Sequence, residues 1–129
     1  SIMRNKLQSY KSLQAKQLLG EEDPKLIIYE LLNGLNKNLS SLIENIDKND
    51  IKIAKEQAVR AQNIAFALRK TLDRNNGGEI AQNLDLIYAH VHLAMDKFIK
   101  NDKKDLLSSA LFCSSEILDG WKGLVNKIA

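Results

Sequence analysis

An all-α, antiparallel up-down-up-down four-helix bundle with an N-terminal arm is the fold this sequence predicts, and three observations carry it. Strand formers are scarce, with three Val, one Thr and seven aromatics against 20 Leu, 13 Ile and 11 Ala. Six Gly and one Pro leave too few turns for an all-β domain. Four segments carry apolar residues at alternating steps of four and three, joined by short polar breaks, so successive helices run antiparallel. The 129 residues suffice for one domain, which we place at 23–129 behind an arm at 1–22.

The first helix starts at Asp23-Pro24. Asp is a good N-cap, and Pro suits the first helical position because its missing N–H would be unpaired there anyway. Ile28, Leu32, Leu35, Leu39, Leu42 and Ile46 form its seam, and Asp47–Asp50 breaks it. The second helix opens near Asn49 or Asp50 and carries Ala54, Ala58, Ala61, Ala65, Leu68 and Leu72. Four alanines there let a neighbouring helix approach closely. Asn75-Asn76-Gly77-Gly78 is read as its stop, since these residues tolerate positive φ.

The third helix runs from Glu79 to about Lys100 along Ile80, Leu84, Ile87, Val91, Ala94 and Phe98. Residues 101–105 break the pattern, with Asp102 as a candidate cap for the fourth helix. Leu106, Leu107, Ala110, Leu111, Ile117, Leu118, Trp121, Leu124, Val125 and Ile128 give that helix a broad apolar face, weakened locally by Gly120 and Gly123. Residues 1–22 hold only Met3, Leu7 and Tyr10 at helical spacing, which reads as a mobile or loosely docked arm. Ser1 and Ile2 precede Met3, which reads as the natural start.

Several function classes receive no support. Nineteen basic and sixteen acidic residues are mixed along the chain, giving +3 without the basic block of a nucleic-acid binder. No apolar run reaches the ~18 residues of a membrane span, so no membrane insertion is expected. The N-terminus lacks a signal peptide's apolar core, which points to the cytoplasm. One cysteine excludes an internal disulfide, and Cys113 reads as a small buried apolar residue. His90 and His92 point ~200° apart on a helix and cannot share a metal. No catalytic, cofactor or metal constellation emerges. One rival does: a histidine phosphotransfer-type signalling bundle, with His90 or His92 exposed and Lys97 on the face of His90.

What remains is apolar surface away from the seams. At 100° per residue, Val59 and Phe66 lie about 120–140° from the centre of the second seam, and Leu86 and Leu93 about as far from the third. Phe112 lies opposite the broad face of the fourth helix. These residues belong either to a wide core, to packing by the arm, or to a groove for a partner's amphipathic helix.

The stretch Gly77-Gly78-Glu79-Ile80-Ala81-Gln82-Asn83-Leu84-Asp85-Leu86-Ile87-Tyr88 resembles the FliS family of flagellar secretion chaperones. Tyr10-Lys11, Asp23-Pro24-Lys25-Leu26-Ile27 with Gly34, Arg60-Ala61-Gln62-Asn63-Ile64 with Leu68 and Leu72, Lys100-Asn101-Asp102 and Trp121-Lys122 extend the resemblance in the same order over about residues 4–125. Leu32 stands where the family has a tyrosine, and Phe98-Ile99 where it has Ala-Asn. The resemblance implies a small helical bundle without catalysis. It implies a chaperone that binds the disordered C-terminal segment of flagellin, blocks premature polymerisation and supports delivery to the export gate. Leu7, Tyr10, Val59, Gln62, Asn63, Phe66, Leu86 and Leu93 are the partner-binding residues expected from it together with the off-seam pattern. The arm is expected to cover part of the site in the free chaperone, and an uncovered site leaves room for weak homodimerisation.

Overall fold

The computed structural model describes residues 23–128, as four helices: α1 (Pro24–Asp47), α2 (Ile51–Lys70), α3 (Gly78–Asn101) and α4 (Leu107–Ile128). The expected arm, with Leu7 and Tyr10, lies outside the described residues. So do the side chains of Leu124, Val125 and Ile128.

Neighbours in the chain are neighbours in space, and α4 closes the bundle against α1 and, more lightly, α3. Side-chain bridges fix the antiparallel sense. Gln62 meets His92 and Arg69 meets Asp85, so seven residues forward on α2 is seven back on α3. Asn36 Nδ2 donates to Ser115 Oγ at 2.8 Å and Trp121 Nε1 to Lys25 O at 2.8 Å, giving α1 and α4 the same relation.

Local chemistry accounts for most helix ends. The Asp23 side chain accepts from Lys25 N at 2.9 Å, with Pro24 opening α1 as expected. Asn49 takes a left-handed φ of 62° between α1 and α2, a conformation Asn tolerates better than most residues. Two expectations are corrected. The second helix ends at Lys70, not at the Asn-Asn-Gly-Gly run, because the Asp73 carboxylate accepts from Asn75 N and Asn76 N and gives the backbone a turn instead of another helical step. Gly77 and Gly78 therefore open α3. A Cβ on Gly77 would sit 2.5 Å from Asp73 O, and Gly78 has φ +55°. Nor does Asp102 cap the fourth helix. It stops α3 in the left-handed conformation, φ 57°, while its carboxylate pairs with Lys55 on α2 at 2.5 Å.

The core follows the seams closely on α1 and α2. Leu32, Leu35, Leu39 and Leu42 face Ala54, Ala58, Ala61, Ala65 and Leu68 in one buried cluster. On α3 the seam is shifted in its first half. Ile80 is 73% exposed, and Ala81 and Tyr88 are buried instead, so the buried stripe is rotated by about one residue there. Burial pushes the Tyr88 hydroxyl up to about 12, so it stays protonated. Ser114 on α4 is buried with its Oγ unpartnered, a feature the apolar pattern passes over.

Alanines Ala58 and Ala61 are fully buried. Leucine at either position is expected to overpack the helix interface and cost about 1–3 kcal/mol. Thermal unfolding followed by circular dichroism measures this, and an unchanged midpoint would refute the packing described.

Candidate partner-binding face

The outer surfaces of α2 and α3 carry the off-seam apolar residues, and all four expected there are exposed. Val59 is 43%, Phe66 53%, Leu86 69% and Leu93 48% accessible. A wide core is thereby excluded for them. They recur at seven-residue spacing because the helices bury the opposite stripe, so each pair stands two turns apart on the solvent side. The inter-helix register places Phe66 between the Gln62–His92 and Arg69–Asp85 levels. Phe112 of α4 is also exposed, and the His90–Ser109 bond brings it level with Leu86.

The other expected residues divide. Asn63 is exposed between Val59 and Phe66. Gln62 is half-buried and turned into the bundle, its Nε2 3.4 Å from both the ring Nε2 and the backbone carbonyl of His92 and 3.5 Å from Asp96 Oδ1. Its amide therefore locks α2 to α3 beneath the face. Leu7 and Tyr10 lie outside the described residues.

Below Phe66 the two helices are clamped by charge. Arg69 Nε donates to Asp85 Oδ1 at 2.7 Å and Arg74 Nη2 to the same oxygen at 3.0 Å. These two guanidinium groups hold the Asp85 carboxyl far below the usual carboxylate range. A depressed carboxyl contributes stability that is full above the unfolded pKa of about 4 and is lost as pH falls toward the folded value. We therefore expect Asp85→Asn to lower the melting temperature at pH 7, with the gap to the parent chain narrowing below about pH 4. A gap that stays constant to pH 2.5 would show that the clamp contributes nothing through charge.

Two hollows adjoin this surface. One, of about 360 Å³, lies among Phe66, Arg69, Lys70, Leu72 and Arg74. The other, of about 400 Å³, opens at the end of the bundle where α1 begins, between Ile28, Leu72, Ile80, Leu84, Tyr88 and Trp121. The seam spacing places Ile80 in the core, so the sequence alone hides this second hollow.

The histidines do not stand free for phosphotransfer. His90 is half-buried with Nε2 2.8 Å from Ser109 Oγ, and His92 is held by Gln62. Each joins α3 to a neighbouring helix. Cys113 is half-buried rather than buried. Among the described residues no three His, Cys, Asp or Glu side chains gather as a metal site, and no helix is long and apolar enough to cross a membrane.

Comparisons with known proteins find similar chains. The family model described as flagellar protein FliS matches residues 3–128. The chain is 26% identical over 119 residues to the flagellar secretion chaperone FliS of Vibrio cholerae, covering 92% of this chain and 88% of that protein. It is 23% identical over 118 residues to the flagellar secretion chaperone FliSB of Pseudomonas aeruginosa, covering 92% and 94%. No solved structure matches.

Proposed function

The chain belongs to the FliS family of flagellar secretion chaperones, and on that premise we propose that it binds the disordered C-terminal segment of flagellin in the cytoplasm, prevents premature polymerisation and hands the subunit to the export gate. It is a chaperone and not an enzyme. The observation that supports the reading is the exposed apolar face, Val59 and Phe66 on α2 with Leu86 and Leu93 on α3, lying over a core already filled from the other side. A helix folding onto such a face loses conformational entropy, about 2–5 kcal/mol or more, which only an extended, largely apolar contact offsets. Two long parallel stripes suit that requirement better than one deep pocket.

In the same reading residues 1–22 are an arm carrying Leu7 and Tyr10 that covers part of the site until flagellin arrives, and the bundle comprises 23–129. The apolar hollow beside Ile28 lies one turn from Asp23, within reach of such an arm. Tyrosine suits the role because its ring buries apolar area while its hydroxyl stays wet.

The test is co-purification with the host flagellin, complete and lacking its C-terminal segment. Capture of the complete subunit alone is expected, and equal capture of both refutes the reading. Deleting residues 3–19 is expected to raise affinity for a C-terminal peptide or to increase self-association. A deletion variant that binds more weakly and stays monomeric would make the arm a contributor of contacts instead.

A further inference from the structure

We propose that α2 reads acidic side chains: the segment it receives is an amphipathic helix with carboxylates flanking its apolar stripe, and charge pairing sets its position on the face. This rests on the flagellin-binding reading above and names the partner chemistry within it.

The basic excess of the chain is concentrated on one helix. Over Ile51–Lys70 stand Lys52, Lys55, Arg60, Arg69 and Lys70 against Glu56 alone. Helix α1 has Lys25 and Lys37 against Glu30, Glu44 and Asp47, and α3 has Lys97 and Lys100 against Glu79, Asp85 and Asp96. The mixed charge of the whole sequence thus hides a basic element.

That element is interleaved with the apolar face. Lys52, Glu56, Val59, Asn63, Phe66 and Lys70 follow at steps of 4, 3, 4, 3 and 4, all exposed, as a second stripe opposite the buried alanines. Lysines terminate it at both ends and apolar side chains fill its middle. Lys70 Nζ sits 4.5 Å from the Phe66 ring centroid, so a cation borders the aromatic contact itself. Around the same ring Asp85 is shared between Arg69 and Arg74, two positive groups on one carboxylate, which leaves a net positive hollow. Among the described residues Lys52, Arg60 and Lys70 have no carboxylate partner within ion-pair distance.

A nucleic-acid duplex, whose bases are already stacked on one another, would gain nothing from Val59 and Phe66, and a neutral helix would gain nothing from the flanking lysines. A helix carrying both an apolar stripe and acidic neighbours satisfies the whole pattern. Complementary charge of this kind fixes register and speeds encounter more than it deepens affinity.

The experiment titrates the full chain into a labelled peptide of the last ~40 residues of the host flagellin. A second peptide has every Asp and Glu changed to Asn and Gln. Both are measured by fluorescence anisotropy at 50 and 500 mM NaCl. The natural peptide is expected to bind roughly 10-fold more tightly than the neutral one at 50 mM, with most of that difference gone at 500 mM. Joint Lys52→Glu and Lys70→Glu substitution, with circular dichroism confirming the fold, is expected to abolish the preference, and a peptide with lysines at the acidic positions to regain tight binding to that variant. Equal affinity of the two peptides for the parent chain at both salts overturns the proposal and leaves flagellin binding intact. Failure of both peptides to bind overturns the flagellin reading and this one with it. Tighter binding to a DNA duplex than to the natural peptide at 150 mM NaCl also overturns it.

Discussion

Changing Phe66 to glutamate is expected to weaken binding of the flagellin C-terminal segment about 100-fold while moving the melting temperature by less than about 3 °C. The asymmetry follows from position. Phe66 is half-exposed, at 53%, so the folded chain loses little apolar burial when the ring is removed. A partner helix laid across α2 and α3 would cover that ring completely, with Lys70 beside it and the guanidinium pair below. Aromatic side chains at the centre of a covered patch carry a disproportionate share of binding energy, commonly 2 kcal/mol or more. The glutamate adds a desolvated charge facing any acidic neighbour on the incoming helix.

Ile53→Glu is the matched control. That side chain is exposed to a similar degree, 43%, but one turn from Gln57, which bonds Ser41 and Asn45, and so on the α1 side of α2. Its replacement is expected to leave affinity within about 2-fold, which is what separates one face from general surface stickiness. Equal loss from both substitutions would mean that the partner wraps the whole bundle. Loss of folding with Phe66→Glu would return the residue to the core.

Much of this geometry was legible in the sequence because α1 and α2 bury a single uninterrupted stripe. On α2 every seam alanine is fully buried and Lys52, Glu56, Val59, Asn63, Phe66 and Lys70 on the far side are exposed, so periodicity alone separates Ala58 from Val59 and Ala65 from Phe66. Helix α3 was harder. A heptad rule carries Ile80 into the seam, but burial depends on whether a neighbour lies opposite, and at the start of α3 none covers it. The α2 end departs from the sequence pattern for a related reason. Asparagine and glycine signal a stop wherever they occur, whereas the side chain that makes the turn is Asp73, whose carboxylate finds two backbone donors only after the chain has bent. Gln62 resembled a partner-binding residue by family pattern, yet its amide points to His92. Sequence spacing gives the angle of a side chain on its helix, not the choice an amide makes between an incoming partner and a neighbouring helix.

Phe98→Ala is expected to be the most damaging single change to the fold, at about 3–5 kcal/mol, against a total stability of about 5–15 kcal/mol for a domain of this size. Phe98 is fully buried in the last turns of α3. The antiparallel register set by Gln62–His92 and Arg69–Asp85 brings it level with Ala54 and Ala58 of α2, where the opposing helix supplies only methyl groups. The ring thus fills volume that small residues leave empty, and truncation opens a cavity that no side chain of α2 is long enough to close. Denaturant unfolding should show the midpoint falling with little change in slope. The complementarity supplies its own control. Ala58→Leu alone overpacks, and Phe98→Ala alone underpacks, so the double substitution should cost less than the two single costs added together. A favourable coupling of about 1 kcal/mol or more would show that the two positions share one space. Strictly additive costs would mean that ring and alanine are packed independently, and the register inferred between α2 and α3 at that level would have to be redrawn.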